Sequence, residues 1–399
     1  MHAYLSSLQP LAMRFGLERM ERGLAALGHP ERGLRALHVA GTNGKGSTCA
    51  MAAEALRRAG HRTALYTSPH LVRFNERIAL DGEPISDAAL ARCVAEVRRA
   101  CPWHDAGEGE RLTYFEFATL VALLHFAAEG ADAVVLEVGL GGRLDATNVV
   151  LPLACAVSRV GLDHTELLGD SLAAIAREKG GIFKPGVPAV VAHDQPPEAL
   201  AALRAEAALR GAPFEVAAGS YPGRVALAGQ HQQANAALAA AALRLLDRAG
   251  LAVGEDAIRS GLASARWPGR LELVGGVLLD GAHNPDGAAA LAAALPELHP
   301  GCAVELVLGV LADKDHERML RALAPAVRAL HLVAPRSPRA RPTGSYLPLA
   351  QALFARADEH PSVASALACA RAAAGGDGVV ALAGSLYLVG EAREILGAR

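Results

Sequence analysis

The sequence predicts an α/β protein of two domains, the larger built on a mostly parallel sheet. Three observations predict it. Short apolar runs alternate with helical patterns along the chain, as in strands buried beneath helices on both faces of a sheet. The apolar run of Ala36, Leu37, Val39 and Ala40 opens through a glycine-rich turn, 41–48, onto a helical pattern. The chain, at 399 residues, exceeds one typical core, and the alternation restarts after Ala265-Arg266-Trp267-Pro268-Gly269. The expected domains are therefore residues 1–267 and a smaller α/β domain, 268–399.

In order, residues 1–35 read as helical, interrupted around Gly28-His29-Pro30, and lead into the strand that feeds the turn. A helix to Gly60, a strand at 62–67, a turn-rich segment at 73–86 and a helix at 87–100 follow. Residues 101–111 read as a polar surface loop, 114–129 as a helix and 133–138 as a strand ending in Gly139-Leu140-Gly141-Gly142-Arg143. Further strands are expected at 154–160, 189–192 and 225–227, with helices at 172–182, 198–210 and 232–249. Beyond the boundary, strands are expected at 271–274, 277–279, 304–308, 330–333 and 379–382, and a last helix from Leu386.

Composition excludes several classes. An apolar content of 52% with 20% charged residues describes a folded chain. A net charge of −2 leaves no electrostatic footprint for nucleic acid or an anionic membrane. Neither a secretory leader nor a membrane-spanning run is expected. The six scattered cysteines form no zinc or redox motif, which points to a reduced, cytoplasmic compartment. Among 39 basic residues only Lys45, Lys179, Lys184 and Lys314 are lysines. A lysine retained against such a bias marks a place where a compact, titratable amine is needed and a guanidinium would not serve.

The turn Gly41-Thr42-Asn43-Gly44-Lys45-Gly46-Ser47-Thr48 has the make-up of a phosphate cradle. Glycines let backbone N–H groups converge on an anion, and the helix start adds its positive end. Lys45 would reach the β- and γ-phosphates of ATP, and Ser47 or Thr48 would face Mg²⁺. The usual first glycine of such a loop is replaced by Val39. Ligands of a parallel sheet sit at the carboxyl ends of its strands, and two more strand ends carry polar groups. Glu137 lies in the apolar run 133–138, where an unpaired charge would be costly; an internal salt bridge or a metal would satisfy it. Asp163-His164 follows the next strand, and Ser68 ends an earlier one. Ser68, Glu137 and His164 could surround one or two divalent ions.

These segments together resemble the folylpolyglutamate synthase/dihydrofolate synthase family of the Mur ligase superfamily. The matches are residues 38–47, Ser68-Pro69-His70-Leu71, Asn75-Glu76-Arg77-Ile78, Thr113 with Phe115-Glu116, residues 137–148, Asp163-His164, Glu178-Lys179, Pro268-Gly269-Arg270 and Asp280-Gly281-Ala282-His283-Asn284-Pro285. The resemblance implies a P-loop NTPase-like domain followed by a Rossmann-like one. It implies that Asn43, Gly44, Lys45, Gly46 and Ser47 bind ATP phosphates and that Asn235 reads the adenine. Arg270, Asp280 and His283 would contact the nucleotide from the second domain. Ser68, Glu137 and His164 would hold Mg²⁺, one or two ions, with room for a monovalent cation. Lys179 would be carbamylated and help to anchor the metal; Gly180 stands where relatives carry alanine. Thr113, Tyr114, Phe115 and Leu144, with Asp145 beside them, would form the pteroate wall, and Phe15-Gly16-Leu17-Glu18-Arg19 matches another pterin-contacting stretch.

The implied activity is ATP-dependent addition of L-glutamate to a folate carboxylate through an acyl phosphate, with Lys45, Lys179, His164 and Arg270 at the chemistry. The substrates would be dihydropteroate, a reduced folate, or both, handled by a monomer without nucleic-acid or membrane partners. A cell-wall Mur ligase is the closest alternative; a nucleotide switch or kinase using the same cradle is a more distant one.

Overall fold

The computed structural model describes residues 2–8, 14, 16–105 and 111–398. Phe15 of the expected pterin-contacting stretch, and residues 106–110 of the expected surface loop, lie outside the described residues.

The chain divides into two compact units. The first comprises residues 1–226 and 233–265, the second residues 227–232 and 266–399. The first unit holds an eight-stranded sheet: β1 (Ala36–Ala40), β2 (Thr63–Tyr66), β3 (Ile78–Leu80), β4 (Glu83–Pro84), β5 (Ala133–Glu137), β6 (Ala154–Val157), β7 (Ala189–Val191) and β8 (Phe214–Val216). Their spatial order is β4-β3-β2-β5-β1-β6-β7-β8. All pairings are parallel except β2–β3 and β3–β4. β1, β5, β6 and β7 are buried throughout, as strands covered on both faces require.

This order fixes the site. β1 lies between β5 and β6, and its carboxyl end opens into the crevice where the direction of strand addition reverses. The helix Lys45–Arg58 leaves that end and packs so closely on the helix Glu255–Leu262 that a Cβ at Gly261 would overlap the backbone of Ala55.

The second unit holds six strands: β9 (Glu272–Val274), β10 (Val277–Leu279), β11 (Val304–Leu308), β12 (Ala329–Leu332), β13 (Arg356–Glu359) and β14 (Val379–Ala383). They are ordered β13-β12-β11-β14-β10-β9, parallel except for the β9–β10 edge pair.

The expected strand at 225–227 is corrected: those residues are loop, and the edge strand is β8 instead. The four apolar residues 225–228 between Pro222-Gly223 and Gly229 join no strand, whereas Phe214-Glu215-Val216 docks along β7. The turn-rich segment at 73–86 contains the short hairpin β3–β4, turned at Asp81-Gly82, both with positive φ. The described part of the 101–111 loop includes a short 3-10 helix, Pro102–Asp105, and Cys101 is buried. Among the described residues no helix is long and apolar enough to cross a membrane.

Candidate active site

The 41–48 turn is pinned from behind. The N–H groups of Thr42 and Asn43 donate to the Arg159 carbonyl at 3.0 and 3.2 Å, and the Thr42 hydroxyl exchanges hydrogen bonds with Gly161. The segment after β6 therefore holds the turn, and the amides that open the helix at Lys45 stay without intrahelical acceptors. Gly41 and Gly44 have positive φ, and a Cβ at either would overlap a side chain: Ser158 at Gly41, Asn235 at Gly44. Asn235, expected to read the adenine, thus packs directly against the phosphate turn. Ser47 and Thr48 are buried, and the Thr48 hydroxyl has no partner among the described residues.

Two of the four lysines meet on one oxygen. Lys45 Nζ donates to the carbonyls of Gly41 and Thr42 at 3.1 and 3.2 Å, and Lys179 Nζ donates to Gly41 at 2.9 Å. Lys179, 4% exposed, projects from the helix Leu172–Gly180. Burial, reinforced by the neighbouring charge of Lys45, lowers its pKa from 10.5 to about 7, against the opposing pull of Asp163 and Asp145. Gly180 faces the helix Pro197–Arg210: a Cβ there would stand 3.0 Å from Cβ of Glu206.

Glu137 ends β5 in a buried position and accepts the Ser68 N–H at 3.0 Å, which ties the ends of β5 and β2 together. Asp163 and His164 follow β6. His164 adopts a left-handed conformation, φ 52°, with its N–H on Asp163 Oδ1 at 2.9 Å. Its imidazole is half-exposed, and the Asp163 carboxylate is largely covered.

The loop behind β5 is organised by Asp145. Its Oδ2 accepts the N–H groups of Gly139 and Leu140 at 3.0 and 2.9 Å; its Oδ1 accepts the N–H and the hydroxyl of Thr147. Four donors occupy the four lone-pair directions of one carboxylate. Burial raises its pKa, and these four bonds oppose the rise. Because the Thr147 proton goes to Asp145, His38 Nε2 donates to Thr147 Oγ1, 2.8 Å away; burial, with the charge of Lys184, lowers its pKa to about 3 and so keeps the ring neutral. The loop rests on the helix bearing Lys179: a Cβ at Gly142 would stand 2.8 Å from the carbonyls of Glu178 and Lys179.

Thr113 caps the helix Tyr114–Ala128 in a capping box with Glu116, and Glu116 also accepts Arg19 at 2.8 Å. Phe115 lies against Gly139, where a Cβ would stand 2.5 Å from the ring, and packs at a tilt on Tyr66. Tyr114 meets Phe74 edge-on. Tyr114, Phe115 and Leu144 are all half-buried.

In the second unit Asp280 follows β10 and accepts the N–H groups of Leu271 and Ala282 at 3.0 and 2.9 Å. Burial raises its pKa against the opposing charge of Arg270. Arg270 lies across Gly281, where any Cβ would overlap Nη1, and His283 Nδ1 is 2.8 Å from the Gly281 carbonyl. Asn284 caps the helix Pro285–Leu298.

Reading the sequence missed the interlock of His38, Thr147 and Asp145, and it missed the surroundings of Arg77. Both lie in segments quoted for their resemblance, but neither pattern says which side chains meet.

Residues 39–210 match the Mur ligase middle domain, and residues 269–386 match the Mur ligase, glutamate ligase domain. The dihydrofolate synthase/folylpolyglutamate synthase of Bacillus subtilis (strain 168) is 37% identical over 96% of this chain and 95% of its own. The structure of E. coli FolC in complex with DHPP and ADP superposes with a TM-score of 0.89 at 34% identity, covering 100% of this chain and 98% of that one. Mycobacterium tuberculosis folylpolyglutamate synthase complexed with ADP gives a TM-score of 0.90 at 30% identity, covering 99% and 97%. The cell-wall ligase alternative is not favoured by these relatives. With two Mur ligase domains in order and full-length likeness to folate ligases, the chain belongs to the dihydrofolate synthase/folylpolyglutamate synthase family.

Proposed function

We propose that this ATP-dependent ligase joins the α-amino group of L-glutamate to a carboxylate of a folate compound and accepts both dihydropteroate and a tetrahydrofolate. The observation that carries the reading is the meeting of Lys45 and Lys179 at the Gly41 carbonyl, on the end of β1 between Glu137 and Asp163-His164.

A carboxylate is a poor electrophile, so it first takes the γ-phosphoryl group of ATP to become an acyl phosphate. The glutamate amine then attacks the acyl carbon, and phosphate leaves as the amide forms. Such transfers are catalysed mainly by positioning and charge neutralisation. In this reading Asn43, Gly44, Lys45, Gly46 and Ser47 hold the phosphates. Lys45 leaves its loop carbonyls to follow the growing negative charge, and Asn235 takes the adenine. Arg270, Asp280 and His283 are the second unit's nucleotide residues.

Ser68, Glu137 and His164 would hold Mg²⁺. Among the described residues no three His, Cys, Asp or Glu side chains gather as ligands. Mg²⁺ takes one or two carboxylates and completes its shell with water and phosphate oxygens, so this donor set fits it. When bound, the ion supplies charge neutralisation on the phosphates. A Lys179 amine with a pKa near 7 is partly unprotonated at neutral pH, and in that form it can add CO₂, releasing a proton and becoming a carbamate anion. His164 serves as a ligand and not as a base. Tyr114, Phe115 and Leu144 offer the flat pteroyl group an apolar wall. Thr113 and Asp145 shape that wall, by capping its helix and by ordering its loop. The same proposal includes the domain division at 267/268 and a monomer working in the cytoplasm.

Purified protein with ATP, Mg²⁺ and L-glutamate, offered dihydropteroate or a tetrahydrofolate, tests this. ADP and phosphate should form only when glutamate and a folate compound are both present. Turnover of neither compound would overturn the reading.

A further inference from the structure

The row of strand ends contains a cation that the steps above do not use. Arg77 ends the 3-10 turn Phe74–Arg77, and its carbonyl accepts the N–H of Thr67 at 3.0 Å, across from the residue before Ser68. Its side chain is buried, 7% exposed. Nε donates to His70 Nδ1 at 2.8 Å, and the guanidinium lies 5.2 Å from the centre of the Tyr114 ring and 6.0 Å from that of Phe74. No Asp or Glu among the described residues pairs with it.

A buried guanidinium without a counter-ion is expensive, and aromatic faces offset only part of that cost. His70 does not supply the missing charge. It accepts through a ring lone pair and is neutral, and burial with the Arg77 charge lowers its pKa to about 4. What His70 does supply is orientation: it fixes Nε and leaves the two Nη groups, whose fork matches a carboxylate.

We infer that Arg77 is a binding residue for a carboxylate of the folate substrate, an inference that rests on the reading under Proposed function. ATP phosphate is the poorer occupant. β3 is separated from β1 by β2 and β5, which at strand spacing puts Arg77 about 14 Å from the phosphate turn. Ser68 and Glu137 lie between. The pterin ring is neutral, so the folate group that meets this cation is a carboxylate; free L-glutamate carries carboxylates too, and binding measured without glutamate keeps the two sources apart. Two carboxylates qualify: the acyl group that reacts, carried by pteroates, and the α-carboxylate beside it, carried by folates that already bear glutamate.

The test is ligand binding by calorimetry without ATP, using pteroate, pteroamide, pteroylglutamate and its α-amide. Wild-type protein should prefer acid to amide in at least one pair by about 10-fold or more, and Arg77→Gln should remove that preference. The variant should weaken the acid about 10–100-fold and leave the amide within about twofold. Arg77→Lys should keep part of the preference, since the charge remains without the planar fork. A preference within the pteroate pair assigns the acyl carboxylate; one confined to the pteroylglutamate pair assigns the α-carboxylate. Equal affinities of wild-type protein for acid and amide in both pairs would overturn the inference, with no variant needed. So would equal weakening of acid and amide by Arg77→Gln. Failure of wild-type protein to bind any pteroyl compound would instead remove the substrate reading, and this inference with it.

Discussion

At the scale of single residues, Lys179 is the group whose surroundings conflict most with its ordinary state. An ammonium whose pKa falls from 10.5 when unfolded to about 7 when folded costs stability, fully so below pH 7. The cost fades as pH rises toward 10.5, because over that interval only the unfolded chain binds the proton. Lys179→Met should therefore raise the melting temperature of the ligand-free protein most at pH 6–7, and the gain should shrink by pH 10. In the same variant, glutamate addition should fall about 100-fold or more. A melting temperature lower than wild type at pH 6.5 would show that burial does not tax this amine. Lys179 was legible in the sequence through the resemblance carried by Glu178-Lys179, supported by the scarcity of lysine in this chain. Arg77 was not: arginine is abundant, and only the fold brings Tyr114 and His70 to it.

At the scale of elements, the loop behind β5 and the helix Leu172–Gly180 act as one piece. Backbone touches backbone at Gly142, the Arg143 N–H donates to Glu178 at 2.8 Å, and the Asn148 side chain donates to the carbonyls of Arg143 and Gly181. Gly142→Ala should force the two apart, at a cost of about 1–3 kcal/mol, read as a lower denaturation midpoint. Activity should fall further than stability alone predicts, since Lys179 rides on that helix. Unchanged stability would mean that the loop yields freely. The central strands were legible because burial on both faces leaves unbroken apolar runs, as in β6 and β14. Of the edge strands only β9 was; β4, β8 and β13 were not. β13 reads Arg-Ala-Asp-Glu and buries only Ala357, so nothing in its pattern separates it from a loop.

At the scale of the whole molecule, the six cysteines are all free, four buried and two, Cys302 and Cys369, exposed. Native alkylation followed by mass spectrometry should label Cys302 and Cys369 rapidly and the other four only after denaturation. Rapid native labelling of Cys49, which lies in the helix that follows the phosphate turn, would mean that this helix opens readily. The two-unit division was legible because the strand–helix alternation visibly restarts. The transfer of residues 227–232 to the second unit was not, because no periodicity marks a segment without strand or regular helix until His231.

The strand order also has a consequence for the making of the protein. β1 and β2 are early neighbours in the chain but not in the sheet, because β5 must enter between them. A ribosome that has delivered the phosphate turn, Ser68 and Arg77 has delivered parts with no shared frame. Only when Ala133–Glu137 emerges can β1 and β2 be joined, and only with β6 is the turn pinned at Arg159. Until then β1 has no partner and β2 is paired on one side only, by β3, so apolar strand edges stay open to wrong pairing.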